Sequence, residues 1–230
     1  MLEAKNVSKI YKVGGKEVYG LNGVDFKLEN GDFSVLVGES GSGKSTLSRI
    51  LMGLMPPTAG EVRLDGQIIA PGKRRKPGEI YKRLQLVLQD SRSALDPHFT
   101  VYESIAEPIR NLLRVPAAEE KQRILRLMEK TGLPEALLAR KPYELSGGQQ
   151  KRVCIARALA AEPEVIIFDE AVTGLDVIVR KRILDLLKQI HREQTISFLF
   201  ITHDMDVAWY LAEKIYVMKK GKIVESIHVK

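Results

Sequence analysis

The run Gly38-Glu39-Ser40-Gly41-Ser42-Gly43-Lys44-Ser45-Thr46 leaves few architectures open to this chain. It follows an apolar stretch, Phe33–Val37. It precedes a segment in which Leu47, Ile50, Leu51 and Leu54 fall on one helical face. A glycine loop of spacing Gly-x4-Gly-Lys-Ser, with a strand before it and a helix after it, is a phosphate-binding loop. Gly41 and Gly43 let backbone N–H groups converge where a Cβ would intrude. The helix start adds about half a positive charge. Lys44 can reach the β- and γ-phosphates, and the Ser45 hydroxyl can ligate Mg²⁺. A glycine turn that merely caps a helix is the plainer alternative, and the flanking strand and helix decide against it. All nine residues are candidate nucleotide contacts.

Other apolar runs, Leu84–Leu88, Val165–Phe168 and Ile196–Ile201, match strands buried on both faces of a parallel sheet. The first third reads instead as short antiparallel strands: Leu2–Val7, Glu17–Val24, Asp25–Leu28, Gly60–Leu64 and Gln67–Ile69, with Asp65-Gly66 as a hairpin turn. From Val101 to Leu159 the period becomes helical, with Ile124, Leu127 and Met128 on one face and Gly132 as a stop. Two strands around Lys220-Gly221 close the pattern. The expected fold is α/β: a RecA-like parallel-sheet core, an antiparallel β edge and an inserted helical block.

Asp169-Glu170 stands at the end of the run Val165–Phe168. Strand ends of open α/β sheets face the ligand crevice. Asp169 fits Mg²⁺ coordination. Glu170 fits a general base for water, a role worth typically about 10²–10⁴-fold. Two acids after a strand also suit a solvated loop or a helix cap. The phosphate loop in the same chain favours catalysis. His203 ends "FLFITH" in the same way, where a structural histidine competes with contact to the γ-phosphate or the attacking water.

Leu145-Ser146-Gly147-Gly148-Gln149 opens another helix. Ser146 with Gln149 makes a capping box. Capping does not explain paired glycines, each costing about 1 kcal/mol relative to Ala inside a helix. They leave the first-turn N–H groups bare, which is a second anion site. With one loop already holding phosphate, this second site fits a nucleotide held by another subunit.

The net charge is +7, from 36 Lys and Arg against 29 Asp and Glu, and the densest basic stretch is Lys73–Lys76. No aromatic residues interleave those charges, so a solvated loop outweighs a nucleic-acid patch. No apolar run reaches the roughly 20 residues of a membrane helix, and the first residues lack a signal-peptide layout. Cys154 is the only cysteine, which fits a reducing compartment, and it reads as a small core residue. These features point to a cytosolic chain. Lys151 and Arg152 fit either a neighbouring subunit or solvent.

Taken in order, these motifs resemble those of the ATP-binding cassette (ABC) ATPases over essentially the whole chain. Gly38–Thr46 is similar to their Walker A motif, Val165–Glu170 to Walker B and Leu145–Gln149 to the signature. Gln89 stands where the Q-loop glutamine does, and Thr173-Gly174-Leu175-Asp176 where the D-loop does, with Thr-Gly in place of Ser-Ala. The switch histidine matches His203. Tyr11 resembles the aromatic residue that stacks on adenine, against an ordinary strand tyrosine as the alternative. The resemblance implies ATP and Mg²⁺, with Gln89 beside Ser45 and Asp169 at the metal, and Asp176 near the nucleotide. It also implies a head-to-tail pair of cassettes that close on ATP and pass motion to membrane subunits through the segment after Gln89. The division it suggests is 1–89 with 161–230 as β edge and core, and 90–160 as helical subdomain.

The stretches "SALDP", "EAVTGLDV" and "ITHDMDVA" are similar to the oligopeptide, dipeptide and nickel import branch. That branch implies a second ATPase subunit, identical or paralogous, integral membrane permeases and, indirectly, an extracytoplasmic solute-binding protein. The expected seat is the inner face of the cell membrane. The competing class acts on DNA or the ribosome, and its repair members need sustained heptads that this chain lacks. No nucleic-acid partner is expected. A regulatory module without hydrolysis is opposed by Glu170 and His203.

Overall fold

Continuous and alternating apolar patterns become strands of different kinds in the computed structural model, which describes residues 1–69, 77–113 and 115–229. The basic stretch Lys73–Lys76 lies outside the described residues. In chain order the strands and helices begin with β1 (Leu2–Val13), β2 (Lys16–Leu28), β3 (Phe33–Val37), α1 (Lys44–Leu51), β4 (Ala59–Leu64) and β5 (Gln67–Ile69). Next come α2 (Pro77–Arg83), β6 (Leu84–Val87), α3 (Ser91–Ala94), α4 (Val101–Pro108), α5 (Ala117–Lys130), α6 (Gly147–Leu159), β7 (Val165–Asp169) and α7 (Val177–Glu193). The chain closes with β8 (Ser197–Thr202), α8 (Met205–Leu211), β9 (Lys214–Lys219) and β10 (Lys222–His228). Contacts divide it into two compact units, Met1–Arg75 with Thr195–Lys230, and Lys76–Gln194.

In the first unit, β1 pairs antiparallel with β2 and with β4, and β5 extends β4. The sequence pattern ends the first strand at Val7 and breaks the second at Val24. Both run on, because register shifts between Ala4 and Val7 and again near Lys9 bend the ribbon without ending it. Asp65 and Gly66 both have positive φ, 48° and 74°, as a two-residue hairpin turn needs. Parallel pairing joins β3 to β8 and to β9, and β10 adds antiparallel to β9. Every residue of β3 and β8 is buried, as for strands covered on both faces. Helix α1 buries Leu47, Ile50 and Leu51. Leu54 departs from the expected face: it lies past the helix end and is 53% exposed, because Gly53 at φ 67° turns the chain.

In the second unit, β6 and β7 pair in parallel from Leu84↔Val165 to Val87↔Phe168. Thr100 caps α4 in a full capping box with Glu103. Helix α5 buries Ile124 and Met128, leaves Leu127 half-buried, and stops where Gly132 takes φ 64° and the Leu133 N–H reaches Met128 O. A π-helical turn, Ile109–Leu113, follows Pro108. Arg110 in that turn donates twice to the Glu120 carboxylate (2.8 and 2.7 Å), and Tyr102 adds a third donor at 2.9 Å. Those bonds, Arg110 first, hold the Glu120 carboxyl below its ordinary range. Among the described residues no helix is long and apolar enough to cross a membrane.

Candidate active site

The glycine loop sits between buried β3 and α1 in the first unit. Lys44 folds back into it, its Nζ donating to Gly38 O at 2.7 Å and Glu39 O at 2.9 Å, and only 4% of the residue is exposed. The loop is closed by Ser42 N–H on Glu39 O, 3.1 Å, and by Leu47 N–H on Gly43 O, 2.9 Å. Gly43 adopts φ 110°, and a Cβ there would lie 2.5 Å from Gly20 O, so no other residue fits. Gly41, at φ 78°, faces open space: nothing approaches its Cβ position within 4 Å. Ser42 Oγ is buried without a hydrogen-bond partner among the described residues. Glu39, Ser40 and Ser45 are exposed, and Thr46 is half-buried. Such a loop, with Gly41 exposed and one ammonium at its hub, has the make-up that suits an anion.

Tyr11 on β1 reaches this loop. Its hydroxyl stands 3.2 Å from Thr46 Oγ1 and donates to Met55 Sδ at 3.4 Å. Its ring lies so close to Gly20 that a Cβ there would meet Cε2 at 2.5 Å. His203 joins them through the sheet. Val37 and Thr202 are partners in the parallel pairing of β3 and β8, so Gly38 and His203 leave adjacent strands at the same edge. Asp204 then caps α8, accepting from Asp206 N–H and Val207 N–H.

The second unit carries the other candidates. Parallel partners Val87 and Phe168 bring Gln89, Asp169 and Glu170 to one strand edge. Glu170 is held at φ 48°, a left-handed conformation costing roughly 1–3 kcal/mol for a residue with a side chain. Asp176 caps α7 by accepting from Val179 N–H at 2.9 Å. Ser146 opens α6 in a capping box: Gln149 N–H donates to Ser146 Oγ at 3.3 Å, and Ser146 N–H donates to Gln149 Oε1 at 2.9 Å. Gly148 also has a packing reason that the sequence reading lacks: a Cβ there would lie 2.6 Å from Val179 Cγ1, whereas one on Gly147 would make only ordinary contact, 3.7 Å from Leu175 Cδ2.

Two polar residues escape sequence reasoning. Gln150 is buried, donating from Nε2 to Pro142 O at 2.8 Å. Lys151 belongs neither to solvent nor to a distant surface. It is 2% exposed and donates from Nζ to Leu88 O at 2.7 Å and Gln89 O at 2.9 Å. Burial pushes its pKa down, opposed by the neighbouring Cys154 and Asp90. The signal was periodicity: Lys151 precedes Cys154 and Ile155 by three and four residues, and both are core.

Comparison with known proteins agrees with this geometry. The ABC transporter family model matches residues 21–173. The oligopeptide transport ATP-binding protein OppF of Lactococcus lactis subsp. lactis (strain IL1403) is 42% identical over 209 residues, which is 91% of this chain and 66% of OppF. This chain therefore spans just under two-thirds of that relative's length. The nickel import ATP-binding protein NikE of Escherichia coli (strain K12) is 39% identical over 206 residues, 90% of this chain and 77% of NikE. Among solved structures, the ATP-binding cassette MJ0796, dimeric and bound to ADP and Pi, superposes with a TM-score of 0.88 at 32% identity. That match covers 100% of this chain and 99% of MJ0796. An α/β cassette fold, a glycine loop in its strand–helix setting and a family match over most of the chain agree: this chain belongs to the ABC transporter family.

Proposed function

We propose that this chain is the ATP-hydrolysing subunit of an importer, powering uptake of a small solute through separate membrane permeases. The observation that carries the reading is the Lys44 loop, with Tyr11 at one side and His203 leaving the neighbouring strand. Gly38–Thr46 holds the triphosphate, and Tyr11 stacks on adenine. Ser45, Gln89 and Asp169 supply hydroxyl, amide and carboxylate oxygens, a hard donor set that suits Mg²⁺. Bound there, Mg²⁺ neutralises developing phosphate charge. Glu170 accepts the proton of the attacking water, His203 contacts the γ-phosphate, and ADP and phosphate leave.

Ser146, Gly147, Gly148, Gln149 and Asp176 act on nucleotide held by a second cassette. That partner is a copy of this chain or a paralogue, and the MJ0796 cassette is itself dimeric. The working division is the core and β edge, 1–89 with 161–230, against a helical subdomain, 90–160. The subunit sits at the inner face of the cell membrane, and a solute-binding protein feeds the permeases from outside. OppF and NikE support peptide and nickel or its chelates as the solute classes.

Phosphate release is the test. Wild-type protein should turn over ATP, and Glu170→Gln should bind ATP yet lose at least roughly a hundredfold in turnover. Equal rates would remove Glu170 from the base role. Purified permeases should raise turnover with either peptide or nickel.

A further inference from the structure

Helix α6 grips the chain leaving β6 along one face. Lys151, Cys154 and Arg157 follow one another at three-residue spacing, which puts them on a common side of the helix. Lys151 Nζ donates to Leu88 O and Gln89 O, at 2.7 and 2.9 Å. The buried Ser91 sits against the buried Cys154 thiol. Arg157 Nη1 donates to Ala94 O at 2.6 Å. The contacts run in register, from residue 88 to residue 94 as the helix advances from 151 to 157.

A lysine stem alone would pack equally well with its head in water. Here the ammonium is buried instead, which is unfavourable unless its donors are used. Two of its three donors end on consecutive backbone carbonyls, where charge-assisted bonds are strong. One carbonyl belongs to Gln89. Lys151 itself lies two residues past Gln149, just beyond the first turn of the helix that Ser146 opens.

We propose that Lys151 is a positioning residue that fastens Gln89 to the helix opened by Ser146, so that the two shift as one piece. The catalytic consequence rests on the ATPase reading above. The grip on residues 88–94 does not.

The test uses the full chain with Lys151→Met, which keeps the stem and removes the donors. Hydrogen exchange over residues 88–94 should speed up by roughly tenfold while the remainder of α6 stays protected. Turnover should fall about tenfold with the KM for ATP held within about twofold. In a Gln89→Ala background the same change should cost less than about twofold more, because the residue it positions is already gone. Unchanged exchange over 88–94 would overturn the proposal, and so would a full tenfold loss on top of Gln89→Ala. Should Lys151→Met fail to fold, Lys151→Gln, with an amide donor on a shorter stem, carries the same comparison. A wild type without ATP turnover would end the ATPase reading, and the exchange result would still decide whether Lys151 holds the loop.

Discussion

The Tyr11 hydroxyl stands 3.2 Å from Oγ1 of Thr46, the last residue of the glycine loop, and so ties β1 to the start of α1. Tyr11 has two usable parts, a ring face and a hydroxyl. If the ring holds adenine, Tyr11→Phe keeps the affinity for ATP within about twofold, and Tyr11→Ala weakens it by roughly tenfold or more. Titration with a fluorescent ATP analogue separates the two. Equal losses in both variants would mean that the hydroxyl on Thr46 matters and the ring does not.

Gly148 packs against α7 with no room for a methyl group, 2.6 Å from Val179 Cγ1. Gly148→Ala should cost about 1–3 kcal/mol by overpacking, read from denaturant unfolding. Val179→Ala opens the space, so the double variant should regain most of that loss. No recovery would place the strain elsewhere in the turn.

Glu120 provides the pH dependence. Its folded carboxyl sits below the ordinary range because Arg110, and then Tyr102, donate to the charged form. A lowered folded pKa contributes stability above the unfolded value, and that stability is lost as pH falls through the folded one. Glu120→Gln should therefore be less stable than wild type at pH 7. The gap should close as pH drops below about 4, the range of an unperturbed glutamate. A gap constant from pH 7 to pH 3 would mean that packing, not charge, accounts for the loss.

Much of this was legible in the sequence, for identifiable reasons. Phe33–Val37 and Ile196–Ile201 announced buried strands because nothing polar interrupts them enough to demand water. Ser146 with Gln149 announced a helix start, since the two side chains satisfy orphan N–H groups locally. What stayed hidden depends on distant partners. Lys151 ends on carbonyls 62 and 63 residues away. The need for Gly148 comes from Val179, and the left-handed turn at Glu170 carries no local sequence mark. Bulges let β1 and β2 run on where alternation lapses.

A mixing assay bears most directly on the idea that each nucleotide is held by the Lys44 loop of one molecule and the Ser146 turn of another. Lys44→Ala and Ser146→Arg should each be nearly inactive alone. Mixed in equal amounts, half of the pairs join one of each and keep one intact site, so turnover should return to roughly a quarter of wild type. A mixture no more active than its separate components would contradict a pocket shared between two chains.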